Sequence, residues 1–182
     1  SHMEPDHAYN IGMLAEKYPE MKIVGNTLTF NMLTNFFEID FSQRKFVVMD
    51  GDVLDIGKHK LQFVTAPMVH WPEVMMTYEQ TEKILFSADA FGRFGSLDAE
   101  GKWEEEARRY YFGIVGKYGM QVQAVLKKAT NLDIETICPL HGPVLKEDLG
   151  YYLQKYNTWS SYEPEEEGVC LVCSSIYGNT LQ

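Results

Sequence analysis

The stretch Ser1-His2-Met3-Glu4-Pro5-Asp6-His7-Ala8 reads HxExDH and sets four potential metal ligands within six residues. In an extended chain alternate side chains share a face, so His2, Glu4 and Asp6 are expected on one side. Pro5 is expected to keep that backbone extended, because proline is excluded from a helix interior. One loop then offers an imidazole and two carboxylates to a pair of metal ions, with His7 beside them.

Three further candidates lie where an apolar strand gives way to a Gly- or Pro-rich loop, a usual setting for site residues on a rigid scaffold. His70 ends the run Leu61-Gln-Phe-Val-Thr-Ala-Pro-Met-Val-His70, ahead of Trp71-Pro72. Asp89 follows Ile84-Leu-Phe-Ser87 and precedes Ala90-Phe-Gly92. His141 follows Ile137-Cys-Pro-Leu140 and precedes Gly142-Pro143. A single histidine or aspartate in such a place is more often structural, a cap or a turn former. His59, at a hairpin tip between Lys58 and Lys60, is expected to be solvated. Trp71, Tyr78, Phe91, Tyr110 and Tyr111 are candidate pocket walls, or ordinary core aromatics.

The rest of the chain predicts alternating elements. A helix is expected over Ala8–Tyr18, stopped by Pro19, and another over Leu28–Phe37, capped by Asn26 or Thr27. Strands are expected at Met21–Val24, Lys45–Met49, Lys83–Ser87 and Ile134–Cys138. Val53–Ile56 and Lys60–Thr65 form a hairpin around Gly57-Lys58-His59. Helices follow at Trp103–Tyr118, Val122–Asn131 and Lys146–Trp159, with a break between Gly113 and Gly119. The fold class is α/β (α+β), a layered arrangement with mixed strand directions.

The chain has 182 residues, with 16 Lys+Arg against 26 Asp+Glu and a formal net charge of −10. That balance argues against nucleic acid and anionic membranes as partners. No run of 18 apolar residues and no signal peptide is visible. The three cysteines, Cys138, Cys170 and Cys173, form no disulfide framework and suit a reducing, cytoplasmic setting. Cys170 and Cys173 make a CxxC within the apolar run Gly168–Ser174, where alternation points them to opposite faces. They are expected to be buried in a strand rather than to chelate. Tyr162-Glu-Pro-Glu-Glu-Glu167 is acidic and polar, the best linker candidate. Ser1-His2-Met3 resembles an expression-vector scar, and the final strand-to-loop junction is expected to stop short of its helix.

Taken together, HxExDH, His70-Trp-Pro-Glu-Val-Met-Met-Thr-Tyr78, Ser87-Ala-Asp-Ala-Phe-Gly92 and Pro139-Leu-His-Gly142 resemble, in order, the flavodiiron proteins of the metallo-β-lactamase superfamily. The resemblance implies a metallo-β-lactamase-like αββα sandwich over residues 1–160, lacking its N-terminal strands. An acidic linker follows over 161–167, then the first strand and phosphate loop of a truncated flavodoxin-like domain over 168–182. It implies that His2, Glu4 and His70 bind one iron, that Asp6 and His141 bind a second, and that Asp89 bridges them. His7 matches a position of variable coordination. Hydrolytic members carry a histidine where Glu4 stands. A carboxylate there makes the site harder and favours iron over zinc.

The reaction implied for the parent protein is reduction of O2 to water, of NO to N2O, or both, with electrons from FMN. Ser174, Ser175, Ile176, Tyr177, Gly178, Asn179 and Thr180 resemble the loop that cradles the FMN phosphate. A rubredoxin-like electron donor and a head-to-tail homodimer are implied as partners. The expected departures are an unpaired sheet edge with an exposed apolar face, and weak FMN binding by this chain alone. Two other readings stand beside this one. The first is a zinc-dependent hydrolase of the same fold. The second is an inactive truncated module without a competent metal site, and inactivity is the expectation for the fragment by itself.

Overall fold

Phe63 and Val64, adjacent in one strand, look in opposite directions, and that alternation organises the molecule. The computed structural model describes residues 1–98 and 101–179. Five strands form one sheet in sequential order: β3 (Val53–Asp55), β4 (Lys60–Thr65), β5 (Met75–Glu79), β6 (Ile84–Phe86) and β7 (Thr136–Cys138). The first three pairings are antiparallel and β6–β7 is parallel. Val64 and Met76 face helices α4 (Trp103–Tyr110), α5 (Gly119–Ala129) and α6 (Leu149–Ser160), within a core that also takes in Leu85, Tyr111, Val122, Ile137 and Trp159. Phe63 and Met75 face the other way and pack with Val48 and Val24.

That second side carries a two-stranded parallel sheet, β1 (Ile23–Gly25) with β2 (Lys45–Val47). Around it lie the short helices α1 (Pro5–Ala8) and α2 (Ile11–Lys17), and α3 (Thr27–Phe36). Met3, Ala8, Ala15, Phe30, Leu33 and Phe41 close a separate apolar cluster there. Asn26 caps α3 by accepting from Thr29 N–H at 3.0 Å, and its Nδ2 donates to the Glu73 carbonyl at 2.9 Å. One side chain thus starts the helix and ties it to the loop entering β5. β2 exposes Phe46 and Val47 and pairs only with β1 among the described residues, as expected of an apolar edge.

The hairpin lies where the sequence put it. Gly57 adopts φ 94° and its N–H donates to Asp55 Oδ1 at 2.8 Å. Its neighbour His59 is not simply solvated: Nδ1 lies 3.2 Å from a carboxylate oxygen of the buried Glu79. β5 was not anticipated as a strand. It is the central strand, buried on both faces, so Val74-Met-Met-Thr-Tyr78 shows no polar alternation to betray it. The single helix expected over Trp103–Tyr118 ends at Tyr110 and continues as a wide turn, Tyr111–Val115, and a tight one, Gly116–Tyr118. Gly113 and Gly116 lower the helical preference there, and the break falls earlier than expected.

Two further expectations are corrected near the C-terminus. Gly168–Ser174 forms no strand, and Val169, Cys170, Leu171, Val172 and Cys173 are exposed rather than buried. A strand requires a hydrogen-bonded neighbour, and none stands beside this segment among the described residues. The acidic stretch before it is docked rather than free. Tyr162 Oη donates to the Gly116 carbonyl at 3.1 Å, and Glu165 meets Arg108 at 2.6 Å and Lys155 at 2.8 Å. No helix among the described residues is long and apolar enough to cross a membrane.

Candidate metal centre

Four loops at one end of the sheet converge on a single cluster of ionisable side chains. The first is the N-terminal segment. The Ser1 carbonyl accepts from Met75 N–H at 3.0 Å, Met3 N–H donates to Glu73 Oε1 at 2.6 Å, and the Met3 side chain is 1% exposed. This segment does not stay extended through Pro5 as the sequence suggested. Pro5 opens α1, where its missing N–H leaves no bond unmade and its fixed φ suits the helix. The turn separates the ligands into two pairs: His2 with Glu4, and Asp6 with His7.

The second loop, Ala66–Val74, carries His70 across a cis Val69–His70 peptide bond. The third, Ser87–Gly92, carries Asp89 between Ala88 at φ 53° and Phe91 at φ 68°. Left-handed conformations cost residues with a side chain about 1–3 kcal/mol and persist where the surroundings over-determine them. The fourth loop follows β7 and carries His141. It is knitted to the third by Leu140 N–H to the Ala88 carbonyl, at 2.8 Å, and Arg93 N–H to the His141 carbonyl, at 3.3 Å.

The two oxygens of Asp89 face two different donor sets. Oδ2 lies 3.3 Å from His2 Nε2 and 3.0 Å from His70 Nε2. Those two nitrogens lie 3.2 Å and 2.9 Å from Glu4 Oε2. Oδ1 lies 3.2 Å from His7 Nε2 and 3.7 Å from His141 Nε2. Asp6 Oδ2 completes that set, 3.4 Å from His7 and 3.3 Å from His141. The first set is the more enclosed, with the His2 side chain inaccessible, His70 at 13% and Glu4 at 31%, whereas in the second the Asp6 side chain is 49% exposed and His141 38%. All seven sequence candidates for metal ligation are therefore brought together. His7 stands with Asp6 and His141.

The electrostatics follow from this packing. Burial alone would raise the Asp89 carboxyl, but His2 and His70 as hydrogen-bond partners, with the charges of His2 and His7, hold it far below the ordinary carboxylate range. His7 is lowered by burial, against the opposing pull of Asp89 and Asp6. Burial also works against a charged His70, yet its hydrogen bond to Asp89 and the charge of Glu4 leave it raised.

The donor set fits divalent metal ions. Asp89 Oδ1 is buried with no aligned hydrogen-bond donor, although two imidazole nitrogens lie close to it. His7 Nε2 and His141 Nε2 approach to 3.2 Å, where at most one can donate to the other. Spacings of about 3 Å are the edges of a coordination polyhedron whose metal–ligand bonds are about 2.1 Å. Imidazole and carboxylate without thiolate suit iron, manganese or zinc.

A cavity of about 540 Å³ opens over the cluster, lined by Glu4, Asp6, Asp89 and His141 together with Arg93 and Tyr110. Of the aromatic walls expected from sequence, only Tyr110 lines it. Trp71 leans on His2 from behind, its ring 6.4 Å away, Tyr78 donates to the Asp133 carbonyl at 2.7 Å, and Phe91 and Tyr111 are core. Arg93 was not anticipated, and no sequence signal beyond its place after Phe91-Gly92 marked it. The stretch Ser174–Asn179 is largely exposed, and Thr180 lies outside the described residues.

A sheet carrying helices on one face, a second small sheet on the other, and a carboxylate/imidazole cluster at the strand ends define a metallo-β-lactamase-like domain. The chain belongs to the family described as ODP family beta lactamase, whose model matches residues 1–142. An uncharacterized protein of Methanocaldococcus jannaschii is 36% identical over 99% of this chain and 47% of its own length. Diflavin flavoprotein A 1 of Synechocystis is 34% identical over 94% of this chain and 31% of its own length. The chain thus spans about half, or less, of the curated relatives it matches. Among solved structures, the flavodiiron protein from Giardia intestinalis superposes with a TM-score of 0.82 at 27% identity, covering 88% of this chain and 41% of that one. Rubredoxin oxygen:oxidoreductase from Desulfovibrio gigas gives 0.82 at 28% identity, covering 90% and 43%.

Proposed function

We propose that this chain is the metal-binding part of a flavodiiron oxidoreductase that reduces O2 to water, NO to N2O, or both. His2, Glu4 and His70 would hold one iron, Asp6, His7 and His141 the other, and Asp89 would bridge them. The observation that carries this reading is the division of Asp89, with Oδ2 turned to one donor set and Oδ1 to the other. Two ferrous ions held there would supply electrons and open positions for a diatomic substrate.

The protein's own part is to hold charge and protons. The three carboxylates Glu4, Asp6 and Asp89 supply negative charge complementary to two dications. Burial first, and then the charge of Asp89, push the Tyr110 phenol far above its ordinary value, so its hydroxyl faces the cavity protonated. Arg93 adds positive charge at the same wall.

Electrons would come from FMN, with Ser174–Thr180 as part of its phosphate loop; support for that assignment is the sequence resemblance. A rubredoxin-like donor is supported by the name of the Desulfovibrio gigas neighbour. A head-to-tail homodimer and a cytoplasmic location complete the reading.

The test is anaerobic reconstitution of the chain with Fe(II), followed by metal analysis and Mössbauer spectroscopy. Two irons per chain in a coupled pair, each oxidised from the ferrous to the ferric state on exposure to O2 or NO, are expected. Binding of zinc alone, with hydrolytic activity and no reaction with O2 or NO, overturns the proposal.

A further inference from the structure

Asp89 projects from a loop that the backbone alone does not favour, and two aromatic side chains from the helical layer grip that loop at one residue, by the peptides on either side of it. Phe91 N–H donates to Tyr156 Oη at 2.6 Å. On its other side, Trp103 Nε1 donates to the Phe91 carbonyl at 3.1 Å. Both polar groups of the left-handed Phe91 are thus satisfied by side chains of α6 and α4 rather than by a neighbouring strand. The Phe91 ring packs on Tyr156 with centroids 4.3 Å apart, and the Trp103 ring is stacked on Trp159 at 6.0 Å. Tyr156 and Phe91 are both buried, so water cannot take the place of the bond between them.

The loop's other bonds lie to either side of Phe91: Ser87 N–H donates to the Cys138 carbonyl at 3.2 Å, the Ala88 carbonyl accepts from Leu140 N–H at 2.8 Å, and Arg93 N–H donates to the His141 carbonyl at 3.3 Å. Ser87 Oγ donates to the Ala90 carbonyl at 2.7 Å, and Gly92 N–H to the Asp89 carbonyl at 3.0 Å, both within the loop itself. Two left-handed residues flank Asp89, and each could relax toward a right-handed conformation if released. Such a relaxation would rotate the peptides on either side of the carboxylate. Asp89 meets two donor sets at once, so a rotation that serves one set takes it from the other.

We propose that Tyr156 and Trp103 are positioning residues for the bridging carboxylate. They clasp the two peptides that flank Phe91, keep the loop in its left-handed turn, and so hold each Asp89 oxygen toward its own donor set. Neither is a ligand. This rests on the metal-site reading above and extends it to two helices that carry no ligand. Partners behind metal ligands commonly change metal affinity by about 10- to 100-fold when removed.

The test uses the full chain and Co(II) as the probe. Tyr156→Phe and Trp103→Phe are titrated with Co(II) and followed by visible absorption and by the magnetic coupling of the two-metal form, beside thermal melting without metal. The clasp predicts that Co(II) affinity falls by about tenfold or more for at least one of the two metals, and that coupling through the bridge weakens. Ala88→Gly, which removes the penalty of the left-handed turn, should restore part of the affinity lost in Tyr156→Phe. If Tyr156→Phe does not fold, Trp103→Phe carries the test, because Trp103 is only half-buried whereas Tyr156 lies in the core.

Variants that melt lower yet bind two Co(II) ions with wild-type affinity and coupling would show a merely structural role and overturn the proposal. A wild-type chain that takes up fewer than two Co(II) ions sinks the metal-site reading, and the clasp with it. Two wild-type sites with unaffected variants sink the clasp alone.

Discussion

Gly92 lies against the backbone of His141, so close that a Cβ placed on Gly92 would stand 3.0 Å from the His141 carbonyl oxygen and 2.9 Å from that of Asp89. The loops bearing two of the proposed ligands can approach each other only because this position has no side chain. Gly92→Ala is therefore expected to spread the loops, with a loss of about 1–3 kcal/mol from overpacking. The second metal should be lost before the first. Thermal melting and metal stoichiometry of the variant check both parts.

Asp89→Asn keeps the shape of the side chain and removes its charge. In the proposed reading it should drop metal content from two ions to one or fewer, leaving the circular dichroism spectrum unchanged. Asp6→Asn, on the open side of the cluster, should weaken only one of the two sites. Metal analysis after exhaustive dialysis distinguishes the two cases.

Met3 sits between two ligands and fills the N-terminal apolar cluster, with its backbone N–H on Glu73. Met3→Ala is expected to cost about 2–5 kcal/mol in stability. Because His2 and Glu4 flank it, metal affinity should fall together with stability. Urea denaturation with and without Co(II) would measure the two losses. Equal shifts in both curves would contradict the link to the ligands.

The Glu165 carboxyl is drawn down to about 2 by the hydrogen bonds of Arg108 and Lys155, which together outweigh the effect of burial. Its folded value lies below its ordinary one. The stabilisation is therefore full above about pH 4.5 and is lost as pH falls toward 2. The docked segment Ser161–Glu167 should accordingly become protease-sensitive between those limits. Glu165→Gln should make it sensitive already at pH 7, with a loss of stability of about 1 kcal/mol or less.

Much of the fold was legible in the sequence because its signals are local. The Asn26 cap, the Gly57 turn and the apolar strands before His70, Asp89 and His141 each depend on a few neighbouring residues. Met75–Glu79 escaped because a strand buried on both faces carries no alternation. Gly168–Ser174 misled for the opposite reason: it has the composition of a strand but no neighbour to pair with among the described residues. The seven ligand candidates were found by residue type and spacing. Their division into two sets was not, since it depends on Pro5 beginning a helix and so turning Asp6 and His7 away from His2 and Glu4. Tyr156 and Trp103 carry no local mark at all; their part in the site exists only through contacts 65 and 12 residues away in sequence.

The inequality of the two donor sets has a consequence for exchange with the medium. The set facing Asp89 Oδ2 includes a His2 side chain with no accessible surface, whereas the set facing Oδ1 ends in two side chains open to water. In the proposed reading the ion held by His2 exchanges more slowly, and the outer one trades first with whatever metal the surroundings supply. A mixed-metal protein would then carry its history asymmetrically: the inner position records the metal present at folding, and the outer one the last buffer.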